Sequence, residues 1–360
     1  MGKREGVGGK RVIGLTIGSA VWDQFFSSSA FRVIESPDFS TGYGECVALG
    51  SKIPIEDFYA ESGGGATNVA ASLVRFGIKA QVVAVVGDDS FGEMISSDLK
   101  ARGVGVETMV TMAQERTGVS VILNAQSGER SILTYRGASE KLSRRFLPVD
   151  FSKFNLIYTS SLHGQLPTWE EIGIRARRAG AFWAVNPGQG ELIVGGRWLE
   201  RCGVIDLLLV NKEEGQLLLP GGALRRARQP VAGAKSSEHR LIGDPAGEVL
   251  ARIGRGLSRF AETVIVTDGE NGAVAIRQDE GWRVRGDKSI VKRSSTGAGD
   301  AFGAASAFCL ATGGSIETAL AAGVLNAQNV IKTLGAKTGI LTRWPKTREL
   351  NSVVVTKFTL

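Results

Sequence analysis

Thr296-Gly297-Ala298-Gly299-Asp300 stands between residues 282–292, which read as extended structure, and the run Ala301-Phe302-Gly303-Ala304-Ala305-Ser306-Ala307-Phe308, which reads as a closely packed helix. Two glycines two positions apart let the backbone approach a ligand with no Cβ in the way. The free N–H groups of such a turn point outward at a helix N-terminus, where aligned peptide dipoles favour negative charge. Asp300 adds a carboxylate to that mouth. Amides that can hold a phosphate, beside a carboxylate that can take a proton from a hydroxyl, form the core of a phosphoryl-transfer site. Taken alone, the stretch has a plainer reading. The chain carries 48 glycines, and an Asp in a first helical turn commonly serves as a cap or dipole partner. Ser295 and Thr296 offer caps of their own, which leaves Asp300 less needed for that task.

Working outward, short apolar runs alternate with helical stretches. Strands are expected at 11–17, 80–86, 156–160, 181–186, 207–210, 263–266 and 273–276, with helices at 66–76, 91–102, 168–179 and 316–334 between or after them. Strand and helix in alternation predict an α/β fold, a doubly wound, mostly parallel sheet flanked by helices. Residues 23–62 break the pattern with short β-like pieces among Ser, Pro and Gly, and 118–124 and 130–135 are similar. These predict a small accessory sheet. The segment 220–247 is the one candidate for a mobile insertion.

Composition narrows the classes. With 43% hydrophobic residues, 360 in all, the chain has ample core, and no apolar run reaches the roughly 18 to 20 residues that span a bilayer. No membrane partner is expected. Residues 1–10 are polar and glycine-rich with no apolar stretch behind them, unlike a secretory signal, and read as a loose tail. Cys46, Cys202 and Cys309 show no metal-ligand spacing, which points to a reducing cytoplasm. His163 and His239 cannot build a histidine-rich metal site. The net charge of +7 gathers partly at 3–11 and from Arg225 to Arg255. The second run lacks interleaved aromatics for base stacking, so no nucleic-acid partner is expected and the run reads as a solvated, basic surface insertion.

Four further constellations lie at strand ends or helix starts. Gly63-Gly64-Gly65-Ala66-Thr67-Asn68 is a second glycine-rich turn running into a helix, with an amide that could bond a polyol. Asp23, just past the first strand, could accept from two hydroxyls or could be a turn aspartate. Asn211 and Glu214 share one face of a first helical turn. A carboxylate there suits a hydrated Mg2+ bridging phosphates, while an N-capping Asn followed by dipole-favouring acids is the plainer alternative. Thr267-Asp268-Gly269-Glu270-Asn271-Gly272 reads as a turn between strands, and Asn326 falls within the last long helix.

Taken in order, these motifs resemble the ribokinase-like (PfkB) family of carbohydrate and nucleoside kinases, and the resemblance runs from about residue 12 to 341. Thr296 to Phe302 looks like the family's carboxy-terminal signature. Gly63, Gly64, Asn68, Ala70 and Gly77 look like its amino-terminal one, and Asn211 with Glu214 matches its Asn-x-x-Glu motif. The resemblance implies a kinase domain over 11–345 with a small β-sheet lid, its elements at about 25–62 and 118–135, and a C-terminal segment at 346–360. It implies Asp300 as base and Gly297, Ala298 and Gly299 as anion hole. Asp23, Gly64, Gly65 and Asn68 would contact the acceptor. Asn211, Glu214, Thr267, Gly269, Gly272, Thr296 and Asn326 would line the ATP site, with Glu214 on magnesium. A potassium ion (K+) beside the anion hole is a further implication, drawing on the loop before Thr296 and on Gly335-Ala336. So is a homodimer through the lid. Ser294 departs from the acid that relatives often carry there, and the basic stretch after Pro220 is longer than usual.

The implied reaction is ATP-dependent phosphorylation of a hydroxyl on a small sugar or sugar-like acceptor, with a nucleoside (adenosine-like) acceptor as the alternative. Trp22, Phe25, Phe26, Phe58 and Tyr59 could stack on a nucleobase or form the lid's core. A non-catalytic sensor would lose the base or the glycines, and both are present. A dinucleotide-binding dehydrogenase would want three spaced glycines after the first strand, where only Gly18 stands.

Overall fold

The computed structural model describes residues 12–39, 42–125, 130–221 and 244–360. The expected tail at 1–10, His239 and most of the basic stretch at 220–247 lie outside these residues. The end of that stretch belongs to a helix, Pro245–Leu257, capped by the Asp244 carboxylate on the Gly247 amide.

Runs rich in Val, Ile and Leu, bounded by Gly, Asp or Asn, build a nine-stranded sheet. Its spatial order is Lys79–Val83, Ile13–Ile17, Leu156–Thr159, Phe182–Val185, Leu207–Asn211, Thr263–Thr267, Ala273–Arg277, Glu280–Val284 and Val355–Thr359. Neighbours are parallel as far as Thr263–Thr267, and the rest join antiparallel. Side chains alternate between two cores, as strands covered on both faces require. Leu15, Ile157, Leu208 and Val264 meet Trp169 and Ile172 of the helix Leu166–Ala179 and Leu250 of Pro245–Leu257. Leu156, Tyr158, Leu209 and Ile265 meet Val69 of Gly65–Arg75, Ala304 of Ala298–Ala311 and Leu320 of Ile316–Val330. This is the doubly wound fold expected.

A second, four-stranded sheet has the order Arg130–Tyr135, Gly118–Asn124, Val21–Ser27, Asp57–Gly63, with a ribbon of Arg32–Glu35 and Tyr43–Cys46 beside it in sequence. Several boundaries differ from expectation. Asp23 is no turn residue: it lies inside the strand Val21–Ser27. The strand expected at 80–86 is two, Lys79–Val83 in the large sheet and Val85–Gly87 paired parallel with Val110–Met112. The extended run at 282–292 ends at Val284, where Gly286 and the turn made by the Asp287 carboxylate on the Ser289 amide stop the pairing. The last long helix ends at Val330 rather than 334. The C-terminal segment is not separate, since Val355–Thr359 forms the edge of the large sheet.

Candidate functional site

The turn Thr296–Gly297 enters the helix Ala298–Ala311 through Gly297, at φ 79°. That backbone is left-handed, and a Cβ there would also lie 2.5 Å from the Ala336 Cβ. No side chain caps the helix, so neither Ser295 nor Thr296 does what capping would ask of it. No side chain takes the first-turn amides, the Ala298 amide makes a long 3.4 Å bond to the Ser295 carbonyl, and a Cβ on Gly299 would meet open space. Thr296 Oγ1 is buried with no hydrogen-bond partner. Orphan donors, an orphan hydroxyl and open room at one helix end make an anion cradle.

Asp300 stands at its rim, half-buried. Its Oδ2 accepts a 2.7 Å bond from Asn68 Nδ2, which joins residues 232 apart in sequence. Asn68 belongs to Gly65–Arg75, whose N-cap Gly64 sits at φ 94°. A Cβ on Gly65 would fall 3.3 Å from Asp300 Oδ1 and 2.7 Å from the Ser160 Cβ, so the missing side chain keeps that carboxylate oxygen accessible. Burial pushes the Asp300 carboxyl above the usual range, and the Asn68 bond and the charge on Lys337 pull it back.

Asp23, 5% exposed, pairs across the small sheet with Glu61 on one side and Ser120 on the other. Burial raises its carboxyl to about 6, opposed by a bond from Ser120 and the charge of Lys337, with Glu61 and Asp300 adding to the rise. Asp23, Gly64, Gly65 and Asn68 therefore converge with Asp300 where the two sheets meet.

Asn211 ends the strand Leu207–Asn211 and caps Lys212–Leu218. Its Oδ1 accepts from the Glu214 amide at 2.8 Å, and Glu214 Oε2 accepts from the Asn211 amide at 2.9 Å. The capping reading holds for this pair. It uses one Glu214 oxygen, Oε2. Burial raises the Glu214 carboxyl, the Asn211 amide lowers it, and Asp300 is close enough to raise it further. Lys212 Nζ bonds Asp268 at 3.0 Å and ties this helix start to the Thr267–Gly272 turn. Thr267 closes one strand, Gly269 and Gly272 take positive φ, and the turn expected there joins two antiparallel strands.

Asn326 is a correction. Its side chain is wholly buried, its Nδ2 donating to the Ala301 carbonyl at 2.8 Å and its Oδ1 accepting from the Leu341 amide at 2.9 Å. It fastens the signature helix from behind, and its burial shuts it off from a nucleotide. The aromatics also divide. Phe25 is fully buried, and Phe26 pairs with Phe58 at 5.1 Å, so these form part of the small sheet's own packing.

Three contributors escaped the sequence reading. Lys337, 1% exposed, bonds Asn68 Oδ1 at 2.6 Å and the Ser62 carbonyl. Glu61 accepts from the Lys337 amide, Tyr59 and Arg102. The Tyr158 hydroxyl is buried without a partner, close enough to Asp300 and Glu214 to feel both charges. Only Lys337 left a trace, a lone cation inside Gly335-Ala336-Lys337-Thr338-Gly339.

Comparison with known proteins adds a family. The profile described as pfkB family carbohydrate kinase matches residues 45–343. The ribokinase of Haemophilus influenzae is 25% identical over 321 residues, covering 88% of this chain and 94% of that one. An ATP-dependent ribose-1-phosphate kinase of Halopiger xanaduensis is 27% identical over 265 residues, 72% of this chain and 77% of its own length. Among solved structures, the nucleoside kinase of Methanocaldococcus jannaschii, a member of the ribokinase family, superposes with a TM-score of 0.69 at 19% identity, covering 96% of this chain and all of that one. With the profile spanning most of the chain and the fold shared throughout, the protein belongs to the pfkB family of carbohydrate kinases, enzymes that pass a phosphoryl group to a hydroxyl.

Proposed function

We propose that this kinase transfers the terminal phosphoryl group of ATP to a hydroxyl of a small sugar held where the two sheets meet, with Asp300 as the base. The observation that carries the reading is the Asn68–Asp300 bond at the mouth of an uncapped helix. It joins both glycine-rich turns into one site, with a carboxylate oxygen left facing Gly65. Asp23, Gly64, Gly65 and Asn68 bind the acceptor. The amides of Gly297, Ala298 and Gly299, with Thr296 Oγ1, hold the phosphate in transit.

Phosphoryl transfer passes through a loose transition state, so positioning and charge stabilisation carry most of the catalysis. Asp300 needs to accept the hydroxyl proton only late, and its raised affinity for a proton suits that task. The nucleotide lies along Asn211, Thr267, Gly269 and Gly272. Glu214 would hold a magnesium ion through water: one of its oxygens is fixed by the Asn211 amide, which orients the carboxylate. When bound, the ion neutralises charge on the phosphates. The residues do not fit potassium as well. Ser294 is wholly buried, its hydroxyl accepts from the Thr296 amide, and no carboxylate stands among residues 288–299. We derive no step through it.

The smaller sheet acts as the lid, excluding water from the transfer. Its aromatics pack against one another, which favours a sugar over a stacked nucleobase. The three cysteines are free, in keeping with a reducing cytoplasm. Among the described residues no helix is long and apolar enough to cross a membrane.

Asp300→Asn tests the assignment. Turnover is expected to fall by about a thousandfold or more, with acceptor and ATP binding kept within a few-fold. Near-wild-type turnover refutes it. Transfer from ATP measured across ribose, fructose, adenosine and inosine identifies the acceptor, and preference for a nucleoside would overturn the sugar reading.

A further inference from the structure

Lys337, a lysine buried in the site, is the least explained charge among the described residues. Lys337 Nζ donates to Asn68 Oδ1 at 2.6 Å and to the Ser62 carbonyl. Lysine offers donors only, whereas an amide offers an acceptor at one end and donors at the other. With its oxygen drawn to the ammonium, Asn68 must turn its NH2 group to Asp300 Oδ2, 2.7 Å away. The flipped amide would set NH2 against NH3+ and an oxygen against a carboxylate. Lys337 thereby decides which way Asn68 faces, and Asn68 decides which Asp300 oxygen is occupied. The oxygen left over is the one beside Gly65.

The charges around the ammonium come from several elements. Asp23 lies on the strand Val21–Ser27, Glu61 on Asp57–Gly63, and Asp98 on Ser90–Ala101 with Arg102 at its C-cap. Tyr59 bonds Glu61, while Tyr158 and Glu214 approach Asp300 from the large sheet and the helix Lys212–Leu218. Arg102 is engaged by Asp98 and Glu61 at 2.9 and 3.0 Å. Lys337 is the cation whose charge reaches both Asp23 and Asp300.

We infer that Lys337 is a positioning residue for the phosphoryl transfer: through Asn68 it orients the Asp300 carboxylate. The inference rests on Asp300 being the base. Burial lowers the proton affinity of the ammonium, and Glu61, Asp23 and Asp98 oppose that fall.

The test compares Lys337→Met, Lys337→Gln and Lys337→Arg with the wild type and with Asp300→Asn, using the acceptor that the screen identifies. In Lys337→Met, kcat at pH 7.5 is expected to fall about tenfold or more, with KM for ATP within about twofold. The acid limb of the kcat profile should move up by about one pH unit, because loss of a nearby cation makes the carboxyl harder to ionise. Lys337→Arg should restore the limb in part. Lys337→Gln can still donate to Asn68 but carries no charge, so it should show the shifted limb with a smaller loss of kcat. Melting curves give the folded fraction. A folded variant with unchanged kcat and limb overturns the inference. So does a loss confined to stability, including failure of all three variants to fold. An inactive Asp300→Asn beside an unaltered Lys337→Met refutes this inference alone, whereas an active Asp300→Asn refutes the kinase assignment beneath it.

Discussion

Asp23 sits at 5% exposure between Glu61 and Ser120, with a carboxyl that ionises near 6 in the folded chain against 3.8 in the unfolded one. Between those values the folded protein keeps a proton that the unfolded chain releases. Its contribution to stability therefore falls as pH rises from about 4 to about 6, and above that the folded state bears an ionised, buried acid. From the shift, the penalty near neutrality is roughly 2 to 3 kcal/mol. Asp23→Asn should thus raise stability by up to that amount at pH 7.5 in urea titration. The gain should disappear below about pH 4, and an equal gain at both pH values would show that charge is not its source. A residue kept at such a disadvantage suits a binding role more than a structural one. Its importance was readable in the sequence as a carboxylate near a strand end. Its placement was not, because the Val21–Ser27 strand has a carboxylate at an inward position where an apolar residue would have revealed the alternation.

The elements that were legible are those with strong local signals. Buried strands such as Leu207–Asn211 and Thr263–Thr267 are continuous apolar runs, and the glycine-rich turns announce the starts of Gly65–Arg75 and Ala298–Ala311. Val110–Met112 is too short to show a period. Val355–Thr359, with Thr356, Lys357 and Thr359 exposed or partly so, owes its form to pairing with Glu280–Val284. Asn326 shows how one element is fastened to others: its amide spans the Ala301 carbonyl and the Leu341 amide. Asn326→Ala leaves both of those groups unpaired, and should destabilise the protein by about 2 to 4 kcal/mol in denaturant titration. KM for ATP, measured where the variant remains folded, should stay near wild type. A raised KM with unchanged stability would restore the nucleotide contact that the geometry denies.

Across the whole molecule, the small sheet has two unlike faces. Register places Asp23, Phe25, Tyr59, Glu61 and Ser120 on one, and Phe26, Phe58, Val121, Leu133 and Tyr135 on the other. Phe58, Leu133 and Tyr135 are each more than half exposed. Water-facing apolar groups grouped on one sheet face mark a contact surface, and the pairing of two copies through the lid is our proposal for it. Sedimentation velocity should give a dimer, and joint replacement of Leu133 and Tyr135 by Lys should give a monomer with the fold intact. A wild-type monomer at tens of micromolar would dismiss the idea. Polar links run from this sheet to the loop before Thr296, Arg130 on Ser295 and Arg293 to Asp57 at 3.5 Å, so the small sheet and that loop are in contact.

The order of glycine turns, acids and apolar runs along the chain was enough to specify a doubly wound kinase fold and to single out Asp300 as the base we propose, because those signals act over a few residues and need no distant partner. The identity of the residue that orients the base was not accessible there. Lys337 and Asn68 are 269 positions apart, and Asn68 and Asp300 are 232 apart. Whether a lysine becomes a solvated surface charge or a buried donor depends on which carbonyls and carboxylates surround it. That environment exists only once the small sheet, the helix Gly65–Arg75 and the loop after the last long helix have packed together.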